Sequence, residues 1–374
     1  METTKRRSNF ELLRILAIFL VILFHVQQHG PEQQLLSSSG GYFNQPIIYL
    51  RLLILEFGSL FGPLGNGLFI IISGYFMNAN LNINTGKVAK KLLLQLGFAV
   101  TVLVLANAVW IVSFKKEEQS LGIAVLADFN QGWWFIGYYF LVIIIAKVFL
   151  NRFTAKLTES QFKSLLLTLL AVSQFQWTGK VLESVGFEFR ILAIGVFFFL
   201  MGGYIAKYNP FENLKTYTLF LIIAAAYGIR FISAFNYVSG EIDGFIRSNS
   251  VGILNFPQSF QKRWNYEIAA VIIVISLFEL FRRLKVPNNA VINFMGKSTL
   301  MVYIFHEHSF FLSFYANDNW LETLSTNVFL YCLKWFKWAA IAFAVGLAAY
   351  GLYTLLGKLL PRMRSLFVVQ KPSE

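Results

Sequence analysis

The sequence contains little cysteine and little charge. Cys332 is the single cysteine among 374 residues, which excludes an internal disulfide bond and a cysteine-rich metal site and disfavours thiol catalysis. Charged residues make up 14% of the chain, about half the share of a soluble domain, whereas 56% of residues are hydrophobic. With a mean hydropathy of +0.59, the chain is not a soluble globular protein.

Several functional signatures are also missing. The sequence has no P-loop, no Gly-x-Gly-x-x-Gly motif and no Gly-x-Ser-x-Gly elbow, so nucleotide hydrolysis and serine-hydrolase chemistry have no sequence support. No repeat or low-complexity tract is visible. Any chemistry therefore has to be performed by membrane helices and their connecting loops.

Long apolar runs are what the sequence has in abundance. Crossing a hydrocarbon layer of about 30 Å takes roughly 20 helical residues, and runs of that length recur from end to end. Glycine and proline interrupt the second run at 62–67, which suggests an interfacial helix at about 46–59 that then turns into the bilayer. We predict an all-α polytopic membrane protein, with a single transmembrane domain over 1–374 and no appended soluble domain. Its ten helices are expected near 10–29, 60–78, 90–112, 133–150, 162–177, 191–206, 216–235, 266–282, 290–311 and 330–357.

The distribution of basic residues indicates the orientation. Ten spans place both termini on one side, and with the termini in the cytoplasm 20 of the 32 Lys and Arg residues lie in inner segments and 11 in outer ones. We therefore predict that both termini are cytoplasmic. The net charge of +13 is then a topology signal and does not require a nucleic-acid partner. A basic segment precedes the first run, but no cleavage site follows, so we treat this run as a mature helix.

The first predicted helix carries Glu11, Arg14 and His25 within an apolar segment. Charged groups there cost about 2.5–3.5 kcal/mol each on insertion scales, which makes them functional candidates. Arg14 and His25 share one helical face about 16 Å apart, like one wall of a pathway across the membrane. The alternative is that Arg14 reaches lipid phosphates and pairs with Glu11, while His25 packs between helices.

All four histidines map to the outer half: His25, His29, His306 and His308. The order His306-Glu307-His308 places a carboxylate between two imidazoles, so a base with an orienting acid is one interpretation. A zinc site built from two histidines four residues apart with a further His and Glu is the rival interpretation.

The tryptophans are likewise one-sided, which favours an extracytoplasmic glycan that stacks on indole rings, although interfacial anchoring explains many of them equally well. They are Trp110, Trp133, Trp134, Trp177, Trp264, Trp320, Trp335 and Trp338.

On the inner side, Lys87, Lys90 and Lys91 have a spacing suited to a phosphorylated ligand, or they reflect the preference for basic residues inside. Ser73 and Gly74 end the second helix, where small residues allow close backbone approach.

Four segments together resemble the acyltransferase 3 family of integral membrane acyltransferases. The resemblance covers about 8–310 in the family's order and is closest to Gram-positive members that O-acetylate surface or capsular polysaccharide. The segments are Asn9-Phe-Glu-Leu-Leu-Arg14 followed by His25, the run Phe69–Tyr75 ending Ser73-Gly74-Tyr75, Trp133-Trp134-Phe135-Ile136, and Ser298–His306.

The resemblance implies an O-acetyltransferase of the plasma membrane. It moves an acyl group from cytoplasmic acetyl-CoA to a hydroxyl of a cell-surface glycan or its lipid-linked precursor, with no metal cofactor. His25 would be the catalytic base or a transient acyl carrier, and Arg14 would bind the donor. The family's basic pair corresponds to Lys87 and Lys90, or Lys91, so lysines replace arginines.

One loop motif of the family often reads His-x-Trp, whereas this sequence has Gln131 and Gly132 before the tryptophans. The histidine of the motif is therefore absent, and only Trp134 and its neighbours match the family's pattern. Residues expected to contact or support the substrate are Glu11, Ser73, Trp134, His306 and Glu307.

Two other functions remain open: a transporter or flippase of a lipid-linked saccharide, and a membrane sensor with histidines as a pH switch.

Overall fold

The computed structural model describes residues 6–37, 50–114, 134–174, 186–248, 267–308, 312 and 315–367, and the regular elements in these ranges are all helices. Two π-helical turns, Gln28–Glu32 and Ala146–Leu150, each connect two α-helices. In chain order the helices are α1 (Ser8–Gln27), α2 (Gln33–Ser37), α3 (Leu53–Gly58), α4 (Phe61–Met77), α5 (Thr85–Phe114), α6 (Trp134–Ile145), α7 (Asn151–Ala155), α8 (Glu159–Gln174), α9 (Gly186–Tyr208), α10 (Thr216–Ser248), α11 (Ile268–Arg283), α12 (Ala290–His306), α13 (Trp320–Thr326) and α14 (Val328–Phe367).

Within the described ranges, seven helical segments are long and apolar enough to cross a membrane, judged by length and composition. Each coincides with one of the predicted spans. The other three predicted spans correspond to α8, α11 and α12, which have 16, 16 and 17 residues. The total of ten spans and the side on which the termini lie therefore stay predictions. The seven segments are Ser8–Leu35, Leu53–Met77, Thr85–Val109, Trp134–Ala155, Phe189–Tyr208, Thr216–Asn236 and Val328–Leu359.

Several helices differ in length from the apolar runs that predicted them. Helix α10 continues to Ser248, well past the predicted end at 235, because a hydropathy pattern registers the apolar stretch and not its polar helical extension. Helix α12 ends at His306, short of the predicted 311. The expected interfacial helix is represented by α3, and positions 46–49 of that prediction lie outside the described residues.

Helix α1 is the centre of the bundle. It packs against α4, α11, α12 and α14, and Leu13, Ala17 and Val21 are at most 1% exposed. Glycines on the neighbouring helices allow this approach: a Cβ at Gly65 of α4 would overlap the Ala17 carbonyl oxygen, and one at Gly296 of α12 would lie 2.7 Å from the Glu11 Cβ. A helix buried on several faces is suited to hold reactive groups away from bulk solvent.

Polar contacts at one end of the bundle set the register between α1 and α12. The Ser8 hydroxyl accepts a hydrogen bond from the Asn289 backbone N–H at 2.9 Å and donates to Asn293 Oδ1 at 3.0 Å. The Asn289 side chain caps α12 by accepting from two backbone N–H groups of its first turn. Because His25 follows Ser8 by 17 residues and His306 follows Asn289 by 17 residues, equal helical rise brings the two histidines to the same height.

Candidate active site

The two imidazoles at this height are directly hydrogen-bonded. His25 Nδ1 lies 2.8 Å from His306 Nε2, and His306 Nδ1 lies 3.2 Å from the Val302 carbonyl oxygen. Both side chains are buried, at 8% and 1% exposure. The prediction that His25 and His306 lie at the same end of the bundle is confirmed, and their contact is a new finding.

The Val302 carbonyl determines which nitrogens carry protons. A carbonyl oxygen only accepts, so we assign a proton to His306 Nδ1, which leaves a lone pair on His306 Nε2. That lone pair accepts a hydrogen bond from His25 Nδ1–H. The neutral His25 ring therefore presents an unprotonated Nε2, which is the form that acts as a general base.

Glu307 completes the cluster from the turn after α12. Its Oε1 is 3.4 Å from His25 Nε2 and its Oε2 is 4.0 Å from His306 Nε2. A carboxylate at this distance stabilises an imidazolium that forms when Nε2 takes up a proton. His25, His306 and Glu307 each offer one ligand atom within 4.8 Å of the others, so the described residues also contain a potential metal-ligand set.

The remaining histidines lie around this cluster. The His29 ring centroid is 6.1 Å from that of His25, and His29 is partly exposed. His308 is buried in the turn that follows α12. Aromatic rings extend from the cluster toward α6, because Tyr303 lies 5.4 Å from the His306 ring and 5.9 Å from Phe135, measured between centroids.

A basic cluster lies at the opposite end of α1. The buried Glu11 carboxylate accepts hydrogen bonds through Oε1 from Arg14 Nη1 at 2.6 Å and from Arg6 Nη1 at 2.8 Å. The pairing of Glu11 with Arg14, which was part of the alternative interpretation of the first helix, is thus observed. Lys91 of α5 lies close enough to interact electrostatically with Glu11, Arg6 and Arg14, and also with Lys297 of α12. These four cations and one carboxylate leave a net positive charge that is suited to a polyanionic ligand.

Sequence reasoning identified part of this basic cluster. Lys87, Lys90 and Lys91 all lie exposed on the first turns of α5, and Lys91 interacts with the charge of Arg14. Arg6 and Lys297 were not predicted as site residues. The available signal was weak: Lys297 follows Gly296, and only the packing of α12 on α1 shows that Gly296 lies against Glu11.

Ser73 and Trp134 are placed away from the histidines' hydrogen bonds. The Ser73 hydroxyl donates to the Phe69 carbonyl at 2.9 Å and lies 3.0 Å from the Tyr139 hydroxyl, so it links α4 to α6. Trp134 is 43% exposed and borders an apolar cavity of about 340 Å³ between α5 and α6, together with Ala89, Leu92, Leu96, Gly137 and Phe140.

Two tryptophans at the histidine end of the bundle are part of its packed core. Trp320 and Trp335 are at most 2% exposed, and their N–H groups donate to the carbonyls of Tyr315 and Leu23. These two rings are not available to stack on a sugar, which corrects the expectation from their position in the sequence. Trp338 donates to Asp318 Oδ2 at 2.7 Å. Trp133, Trp177, Trp264, Gln131 and Gly132 lie outside the described residues, as does the side chain of Trp110.

Comparisons with known proteins agree with this arrangement. A family model described as an acyltransferase domain, that of the acyltransferase 3 family, matches residues 7–357. No curated protein and no solved structure matches the chain. The match includes α1, α12, the histidine cluster and all of the basic cluster except Arg6, and it extends over nearly the whole sequence. The chain therefore belongs to the acyltransferase 3 family of membrane acyltransferases.

Proposed function

We propose that this membrane acyltransferase is an O-acetyltransferase that moves an acetyl group from cytoplasmic acetyl-CoA to a hydroxyl of a cell-surface or capsular polysaccharide, or of its lipid-linked precursor. The observation that carries the proposal is the chain from the Val302 carbonyl through His306 to His25, which leaves His25 Nε2 as a buried base. A base held in one tautomer is what deprotonation of a sugar hydroxyl requires.

The basic cluster supports a phosphorylated donor at the other end of α1. The hydrogen bond from Arg14 to Glu11 uses one of the five guanidinium N–H donors, so Arg14 retains donors for a phosphate. Lys91 and Lys297 add point charges. Arg14 and His25 are about 16 Å apart along the helix. The pantetheine arm of coenzyme A would extend along α1 and bring the thioester to His25.

The reaction can be written with the groups present. His25 Nε2 removes the proton from the sugar hydroxyl as the oxygen attacks the thioester carbonyl, and Glu307 stabilises the resulting imidazolium. Collapse of the tetrahedral intermediate breaks the carbon–sulfur bond, and the thiolate of coenzyme A takes the proton back from Nε2. The products are the sugar ester and free coenzyme A.

The proposed topology has ten spans with both termini in the cytoplasm of a plasma-membrane protein. Its support is the polarity of the bundle: the basic cluster lies at the end where α1 and α12 begin, and the histidine cluster lies where they end. In the proposed topology the donor binds on the inner side and the acceptor on the outer side. The polysaccharide acceptor and the Gram-positive subtype are supported by the sequence resemblance alone.

Analysis of surface glycan tests this proposal. In cells that carry the wild-type gene, a gene deletion or a His25→Ala gene, mass spectrometry of the polysaccharide should show acetyl esters only with the wild-type gene. His29→Ala is the matched control, because this histidine lies four residues further along the chain, in the π-helical turn after α1, and outside the hydrogen-bonded pair. Loss of the polymer itself in the deletion strain would indicate a flippase and contradict the proposal, as would normal acetylation in a stably inserted His25→Ala protein.

A further inference from the structure

The histidine cluster contains the donor atoms of a transition-metal site. His25 Nε2 and Glu307 Oε1 are 3.4 Å apart, and His306 Nε2 and Glu307 Oε2 are 4.0 Å apart. Zinc bound tetrahedrally at about 2.0–2.1 Å from nitrogen and oxygen ligands separates those ligands by roughly 3.3 Å. The first separation matches this value and the second is longer, so an ion would draw the ligands together. One atom from each of the three residues already falls within 4.8 Å of the others.

The surroundings orient these ligands. His306 Nδ1–H donates to the Val302 carbonyl, so Nε2 is the nitrogen that carries a lone pair. A hydrogen bond from the second ring nitrogen to a backbone carbonyl is the usual support of a metal-binding histidine. His25 and His306 are buried and the Glu307 side chain is 10% exposed, so the site is sheltered from solvent. An ion on His306 Nε2 would displace the hydrogen bond that this atom accepts from His25.

A metal ion bound to either ring nitrogen of His25 would prevent this side chain from acting as a base. Binding at Nε2 occupies the lone pair directly. Binding at Nδ1 displaces the hydrogen bond to His306 and moves the ring proton to Nε2. In both cases His25 no longer accepts a proton, so the ion acts as an inhibitor and not as a cofactor.

We propose that His25, His306 and Glu307 form a binding site for Zn²⁺ or a similar divalent transition metal, and that an ion bound there blocks acyl transfer. The donor set of two imidazoles and one carboxylate selects against Mg²⁺ and Ca²⁺, which prefer shells made of oxygen ligands. A water molecule would take the fourth position. Metal binding rests on the geometry of the cluster, whereas inhibition also rests on the proposed role of His25.

Direct metal binding tests the site. The purified full-length protein in lipid nanodiscs would be titrated with Co²⁺, whose visible absorption reports tetrahedral coordination, and Zn²⁺ would then displace it. We expect one Co²⁺ per chain and at least about tenfold weaker binding in Glu307→Gln. Glu322→Gln removes an exposed carboxylate elsewhere at this end of the bundle and should bind as the wild type does. No absorption change in the wild type, or equal affinity in Glu307→Gln, would overturn the site.

Inhibition is measured separately, so that it can fail independently. Zn²⁺ should reduce acyl transfer by the wild type and by Glu322→Gln, a chelator should restore it, and Mg²⁺ should have no effect. Size-exclusion chromatography and binding of the acyl donor would verify that each variant is folded. Stoichiometric zinc binding without inhibition would overturn the inhibitory role and would also count against His25 as the base.

Discussion

His306 is hydrogen-bonded to His25, the proposed base, and its removal has a calculable effect on the proposed reaction. In His306→Ala the Nδ1–H of His25, now 2.8 Å from its acceptor, loses that acceptor in a buried site. A buried donor without a partner costs about 1–3 kcal/mol. His25 can avoid this cost by moving its proton to Nε2, where Glu307 accepts it, but that tautomer has no base facing the substrate.

Losing the tautomer with an unprotonated Nε2 should therefore lower kcat. Since about 1.36 kcal/mol corresponds to a tenfold change in rate, we expect kcat to fall roughly 5- to 150-fold. The KM for the acyl donor should stay unchanged, because the basic cluster lies at the other end of α1. The assay is transfer of radiolabelled acetyl from acetyl-CoA to an acceptor oligosaccharide by protein in nanodiscs.

His306→Gln separates positioning from a general loss of packing. The glutamine carbonyl oxygen can accept the proton of His25 Nδ1, so this variant should recover much of the rate that His306→Ala loses. The reasoning is refuted if His306→Ala retains the wild-type kcat, or if it lowers kcat and His306→Gln lowers it equally.

Two other predictions concern the basic cluster and the packing of α12 on α1. Lys297→Ala should raise the KM for acetyl-CoA about fivefold, equivalent to about 1 kcal/mol, because it removes a cation beside Lys91 of the basic cluster. Lys87→Ala should change this KM less than about twofold, and equal effects of both variants would contradict the cluster. Gly296→Ala places a Cβ 2.7 Å from the Glu11 Cβ and should lower the free energy of unfolding by about 1–3 kcal/mol, measured by thermal unfolding. The matched control is Gly97→Ala on α5, where a Cβ meets open space, and it should leave stability unchanged or higher.

Much of the helical architecture can be predicted from sequence, because apolar runs of membrane length are a local property of the chain. The pairing of Glu11 with Arg14 was predictable for the same reason, since three residues separate them on one helix. The extension of α10 beyond residue 235 was not predictable, because that part of the helix lacks the apolar signal.

The contact between His25 and His306 depends on residues far apart in the chain. Sequence reasoning placed both at the outer side, but their common height follows from the bond between Ser8 and Asn289, which are 281 positions apart. Lys297 joins the basic cluster for the same tertiary reason. The burial of Trp320 and Trp335 likewise depends on packing between helices, and composition alone does not reveal it.

The most direct test of the account is the rate of acetyl transfer by His25→Ala in the nanodisc assay. The account predicts a loss of about 10²- to 10⁴-fold, the usual contribution of a general base, with acetyl-CoA binding preserved. A folded His25→Ala protein that binds acetyl-CoA and transfers acetyl at the wild-type rate would contradict it.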